Sequence, residues 1–150
     1  MKRLLMAAGT AFLALTAVAA AEGDIKKGEK VFKKCKACHA VGEKAKNKVG
    51  PQLNGVVGRS WGTVEGFKYS KALIEMSDGK VWDAEALDVY LTKPKKLIPK
   101  TKMAFAGLKK VGDRADLIAY LRDHSPNAPA LPAIVEEAAD AMEEAMPAAE

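Results

Sequence analysis

Residues 35–39 read Cys35-Lys36-Ala37-Cys38-His39, and the fold turns on what this C-x-x-C-H element holds. The spacing is one by which a haem is covalently attached. Each thiol can add to one haem vinyl group and become a thioether, and the adjacent imidazole of His39 can then reach the iron from one face. C-x-x-C spacing also serves redox thiol pairs and half of a zinc site. With only two Cys and two His in 150 residues, a four-ligand zinc site is nearly excluded, since outside the motif the chain supplies a single further His. One such element provides for one haem. A Cys35–Cys38 disulfide stays open at this point, and a thioredoxin-type site requires a βαβ frame.

Upstream of the element, residues 1–21 read as a cleaved signal peptide. Lys2 and Arg3 give a positive start, an Ala- and Leu-rich apolar run follows, and Ala19-Ala20-Ala21 fits a small-residue cleavage site. Export puts the Cys pair in an oxidising compartment, the periplasm in bacteria. The alternative is a retained N-terminal membrane anchor on the periplasmic side, since the apolar run is almost long enough to span a bilayer.

Charge divides the remainder. Residues 22–124 carry 22 Lys and Arg against 13 Asp and Glu, a net of +9, whereas residues 125–150 carry six acids and no Lys or Arg. The chain therefore reads as a basic domain over 22–124 and an acidic, Ala-, Pro- and Glu-rich tail over 125–150, expected to be disordered.

Within the domain, residues 24–38 have helical periodicity, with Asp24 as N-cap and Ile25, Gly28, Val31, Phe32 and Cys35 on one face. Gly28 costs about 1 kcal/mol against Ala in a helix, which close approach by another backbone would explain. Residues 41–66 are loop punctuated by glycines, too long to be idle unless a cofactor organises them. Short helices are expected over 70–77, capped by Ser70, and over 83–93, capped by Asp83, with Leu87, Tyr90 and Leu91 buried and Pro94 as the stop. Residues 95–110 read as loop. The last helix is expected over 113–124, with Asp113 as cap, Asp116 in the manner of a capping box, and Leu117, Tyr120 and Leu121 inward. No strand and no repeat is evident, so the βαβ frame is missing. The low aromatic content leaves a core that a buried haem would help to fill.

A haem iron held by His39 has a second axial position. His124 sits at a helix end and reads as solvent-facing; Met76, Met142 and Met146 lie on a short helix and in the tail, where Met more often packs. Met103 stands in an aperiodic segment stiffened by Pro99, which helps to hold a weak thioether ligand in place.

The segment Pro99-Lys100-Thr101-Lys102-Met103-Ala104-Phe105 resembles the Met-ligand loop of class I cytochromes c, and the resemblance spans nearly all of residues 24–124. It is carried by Gly28, Phe32 and the Cys35–His39 element; by Gly50-Pro51-Gln52-Leu53 and Gly55-Val56-Val57-Gly58-Arg59; by Gly66-Phe67-Lys68-Tyr69-Ser70 and Trp82; and by Leu91, Pro94-Lys95-Lys96 and the run from Arg114 to Leu121. It implies an all-α cytochrome c fold, with three main helices, short helices and long loops wrapped around one covalent haem c. In it Cys35 and Cys38 would form the thioethers, and His39 and Met103 would be the axial iron ligands. The Pro51 carbonyl would accept from His39 Nδ1–H and fix its tautomer. Arg59, Tyr69 and Trp82 would surround a buried propionate, and Tyr90 and Thr101 would complete the pocket beside the Met sulfur. Two positions depart from the family pattern. Lys100 replaces a usual Gly, which is strained if φ is positive there, and Leu73 replaces a usual Asn.

The resemblance implies a one-electron carrier rather than an enzyme, because filled axial positions leave no substrate site on the iron. Lys34, Lys46, Lys48, Lys95, Lys96, Lys102, Lys109 and Lys110 match family positions around the exposed haem edge, and would steer the protein to acidic surfaces of membrane redox complexes. These would be a donor of the quinol:cytochrome c reductase type and an oxidase, reductase or reaction-centre acceptor. Nucleic acid is not an expected partner, and a monomer is expected. The alternatives are a dedicated haem subunit of one enzyme and a peroxidase-like enzyme with labile Met ligation. The acidic tail is expected either to fold back on the lysines or to serve solubility.

Overall fold

Asp24 starts the first helix as expected. Its side chain accepts the N–H of Lys27, satisfying one orphan donor of α1 (Ile25–Phe32). A computed structural model describes residues 23–129. The expected signal peptide, and residues 130–150 of the expected tail, lie outside that range.

The helix was expected to continue to Cys38 but ends at Phe32. The N–H groups of Lys33, Lys34 and Cys35 bond to carbonyls three residues back, and those of Cys38 and His39 both bond to the carbonyl of Cys35. These tight turns let Cys35, Cys38 and His39 all line one interior cleft.

Helix α2 (Lys71–Glu75) is capped by Ser70 and α3 (Ala84–Thr92) by Asp83, each side chain accepting an N–H three residues on. Leu87, Tyr90 and Leu91 are buried as their spacing predicts. Pro94, read only as the stop of α3, also opens a short helix, α4 (Pro94–Leu97). Its fixed φ and missing N–H suit the first helical position.

Helix α5 (Val111–Asp123) begins two residues before its expected cap. Lys110 is the N-cap and supplies no side-chain bond. Asp113 instead sits in the first turn, where its charge favours the dipole, with Lys34 Nζ 3.6 Å away. Asp116 serves not a capping box but the other helix, accepting the N–H of Asp24 at 2.7 Å. The two helices meet closely at Gly28, where an added Cβ would lie 2.0 Å from the Asp116 carbonyl oxygen and 2.7 Å from Tyr120 Cβ. The glycine's helix penalty thus secures backbone contact between α1 and α5.

Phe32, Ile98, Leu117 and Ile118 are almost fully buried, and the Phe32 and Tyr120 rings lie 5.3 Å apart. The packed chain runs past residue 124. Ser125 is buried, its Oγ donating to the Leu121 carbonyl at 2.8 Å and accepting the Val57 N–H at 3.2 Å. The first residue of the expected tail is therefore part of the domain. Among the described residues no strand forms, only an isolated bridge between Ser60 and Val81. The result is an all-α cytochrome c fold.

Candidate metal centre

A cleft of about 1360 Å³, counting its open mouth, runs into the core and is walled by the end of α1, the loops 49–59 and 67–70, Leu73 of α2, one side of α3, the segment 101–105 and part of α5. Its lining is mostly apolar, from Phe32, Leu53, Val56, Phe67, Leu73, Leu87, Leu91, Phe105, Leu117 and Leu121. No Asp or Glu lines it, whereas Arg59, Tyr69, Ser70 and Trp82 present hydrogen-bonding groups in the same wall. This composition suits an apolar group bearing acidic substituents, whose charge buried donors offset.

Both Cys side chains line the cleft as free thiols. Burial pushes the Cys35 thiol up to about 11, against the opposing charge of Lys34. A buried thiol of this kind differs from the acidic thiol of a redox C-x-x-C pair, and the two thiols are not bonded to each other in this structure. Among the described residues no cluster of three His, Cys, Asp or Glu could hold a metal by itself.

His39 presents a free ring nitrogen to the cleft. Its Nδ1 lies 2.7 Å from the Pro51 carbonyl oxygen, so Nδ1–H donates and Nε2 keeps its lone pair. Burial holds the imidazole below its ordinary pKa, the Pro51 bond opposes this, and the Lys48 charge adds to the lowering. The neutral form is the one a metal needs. The ring lies against the backbone of Gly50, where a Cβ would be 2.4 Å from His39 Cε1. The Gly50 N–H is tied to the Cys38 carbonyl at 2.9 Å. The turn carrying Pro51 is thereby fixed to the C-x-x-C-H segment itself.

Met103 lines the same cleft. Its N–H donates to Thr101 Oγ1 at 3.3 Å, and Thr101 Oγ1 lies 3.1 Å from the Tyr90 hydroxyl, so α3 holds the segment through Tyr90. Burial raises the Tyr90 phenol, with the Thr101 bond opposing, and the phenol stays protonated. Lys100 takes φ +64°, the left-handed value, and is the non-glycine residue with positive φ among those described. The other sulfur and imidazole candidates are elsewhere. Met76 packs against the core outside the cleft. His124 bonds to the Tyr120 carbonyl and lines a separate surface cavity. Met142 and Met146 lie outside the described residues.

Arg59 is held by Nη1 donating to the Asn54 carbonyl at 2.9 Å, with Nη2 3.4 Å from that of Gln52. The Tyr69 hydroxyl accepts the Val64 N–H at 3.3 Å, keeping its own proton to donate. Trp82 lines the cleft with Tyr90 close by, ring centroids 4.9 Å apart. Behind Trp82 stands Trp61, unassigned from the sequence, stacked at 4.2 Å and 19°. Its Nε1 is the buried side-chain polar atom without a partner among the described residues. A second Trp two residues after Arg59, in a chain poor in aromatics, was the available signal.

The lysines divide. Lys46, Lys95, Lys96, Lys109 and Lys110 are exposed. Lys34 pairs with Asp113, and Lys48 donates to the Lys36 carbonyl. Lys102 Nζ donates to the carbonyls of Lys68 at 3.0 Å and Tyr69 at 3.2 Å, bridging two sides of the cleft. Leu73, at the position of the usual Asn, is buried in the cleft wall.

Known proteins resemble the chain over most of the described residues. The family described as Cytochrome c matches residues 25–125. The chain is 58% identical over 97 residues to cytochrome c-550 of Ancylobacter novellus, covering 64% of this chain and 91% of that one. It is 50% identical over 110 residues to cytochrome c2 of Agrobacterium tumefaciens (strain II Chrys), covering 73% and 99%. The solved structure of cytochrome c2 from Rhodospirillum centenum superposes with a TM-score of 0.66 at 42% identity, over 69% of this chain and all of that one.

Proposed function

This chain belongs to the cytochrome c family, and we propose that it is a periplasmic one-electron carrier whose single haem c is ligated by His39 and Met103. The observation that carries the reading is that both thiols of C-x-x-C-H, the free Nε2 of His39 and the thioether of Met103 share one apolar cleft. Bound there, the haem supplies an iron that alternates between ferric and ferrous states. The chain does the rest. Cys35 and Cys38 anchor the group, Pro51 orients His39, and Thr101 and Tyr90 hold the Met103 segment. Arg59, Tyr69 and Trp82 offset a buried carboxylate, and the apolar wall excludes water. His/Met ligation favours the reduced iron and raises the potential.

With His39 and Met103 both committed to the group, no place would remain for a substrate, and the chemistry it would supply is one-electron transfer. The exposed lysines favour acidic docking faces on membrane redox complexes, with a quinol:cytochrome c reductase type donor and an oxidase, reductase or reaction-centre acceptor. Electrostatic steering of this kind raises association rates by about 10- to 1,000-fold and fades with salt. Export through the N-terminal signal accounts for the location. No helix among the described residues is long and apolar enough to cross a membrane.

The test is potentiometric titration of the purified holoprotein, combined with haem extraction by acidified organic solvent. A reversible one-electron wave and haem that stays with the chain are expected. Extractable haem, or steady turnover of peroxide in place of a stable ferric state, would refute the assignment.

A further inference from the structure

Among the described residues the one buried cation is not in the cleft. Arg114 of α5 is 7% exposed. Its Nε donates to Asp88 Oδ1 of α3 at 2.6 Å, and its Nη1 donates to the carbonyls of Leu108 at 2.9 Å and Lys109 at 3.1 Å. Those carbonyls close the segment that carries Met103. Two further contacts bind the same end to α3: the Leu108 N–H donates to the Leu91 carbonyl at 2.8 Å, and a Cβ on Gly107 would lie 2.0 Å from the Thr92 carbonyl oxygen. The other end depends on the Tyr90–Thr101 bond and passes through left-handed Lys100. Helix α3 thus grips the Met103 segment at both ends, and at the C-terminal end α5 adds a charged contact through Arg114.

We propose that Asp88 is a positioning residue for Met103, acting through Arg114. The inference rests on Met103 being the distal ligand. Asp88 is the acid that fixes the guanidinium at Nε, and this fixed orientation aims Nη1 at both carbonyls. Asp88 is half-buried and Arg114 buried, so removing Asp88 leaves a buried guanidinium without its counter-charge, a state worse than the intact pair. An unpaired Arg114 relieves that state by turning to solvent, which frees the Leu108 and Lys109 carbonyls and loosens the Met103 segment. Hydrogen bonds to charged groups are strong enough for their loss to change a local equilibrium about tenfold. An exogenous ligand that needs the segment open binds in proportion to the open fraction.

The test measures imidazole binding to the ferric holoprotein, together with the long-wavelength sulfur-to-iron charge-transfer band and the urea unfolding midpoint. Asp88→Ala is expected to bind imidazole about tenfold more tightly and to weaken the band. Asp88→Asn, which keeps the shape and the Oδ1 acceptor but not the charge, is expected to lie between Asp88→Ala and wild type, and it serves if Asp88→Ala does not fold. Ser125→Ala, which loses buried bonds to Val57 and Leu121, is expected to lower the unfolding midpoint while leaving imidazole affinity unchanged. Asp88 variants that lose stability but bind imidazole as wild type does would overturn the inference alone. Absence of the charge-transfer band from the wild type would overturn the Met103 assignment and this inference with it.

Discussion

Lys100 holds φ +64° three residues before Met103, and replacing it by Gly tests whether that strain is real. An L-residue in the left-handed region costs about 1–2 kcal/mol, whereas Gly adopts it freely. Gly also gives the unfolded chain more freedom, which takes back about 0.4–1 kcal/mol. The Lys100 side chain is exposed, so its loss contributes within about 0.5 kcal/mol. Lys100→Gly should therefore stabilise the holoprotein by about 0.5–1 kcal/mol. For a domain of this size that raises Tm by about 2–6 °C. Urea and thermal unfolding of the ferric protein measure it, with imidazole binding as the local readout, expected to weaken as the segment settles. Lys100→Ala separates the causes, because Ala keeps the Cβ and so keeps the strain. Equal stability of the Gly and Ala variants, or a loss in the Gly variant, would refute the strain argument.

Four further outcomes follow from the packing and charge. Gly28→Ala, whose Cβ would meet the Asp116 carbonyl oxygen at 2.0 Å, should lower stability by about 1–3 kcal/mol or more, seen as a lower urea midpoint; a neutral effect would contradict the α1–α5 contact. Trp61→Phe removes an unpartnered buried N–H, while Trp82→Phe removes a donor lining the cleft. Unfolding and potentiometry should find the Trp82 variant the more damaged in both, and the reverse order would count against Trp82 as a propionate donor. Lys95→Gln with Lys96→Gln should slow reaction with an acidic redox partner at low salt and converge on wild type at high salt, by stopped-flow kinetics. Deleting residues 130–150, a cut that spares the buried Ser125, should steepen the salt dependence of that reaction if the acidic tail competes for the lysines; an unchanged slope rules the competition out.

Local chemistry was legible in the sequence wherever a residue and its partner lie within a few positions. Asp24, Ser70 and Asp83 cap their helices because each oxygen reaches an N–H three residues on. The C-x-x-C-H element belongs to the same kind, whereas the Pro51 carbonyl that holds His39 lies twelve residues on and entered through the resemblance. Features fixed by distant partners were not legible. Asp116 looked like a local cap, yet it bonds to Asp24 across the helix pair. Arg114 was read only as the start of the run ending at Leu121, and the carbonyls at 108 and 109 with Asp88 reveal why it is buried. Lys34 and Lys102, read as docking charges, also engage Asp113 and the 68–69 carbonyls. Pro94 was ambiguous in principle, since the residue that stops one helix also starts another. Met103 emerged through family resemblance, because nothing in its own periodicity marks a ligand.

The central claim is that Met103 closes the iron site opposite His39 in ligation. It is tested most directly by the sulfur-to-iron charge-transfer band of the ferric holoprotein at neutral pH, recorded for wild type, Met103→Ala and Met76→Ala. The account predicts the band in wild type and Met76→Ala and its loss in Met103→Ala. A wild type without the band, or a Met103→Ala variant that keeps it, would contradict the account.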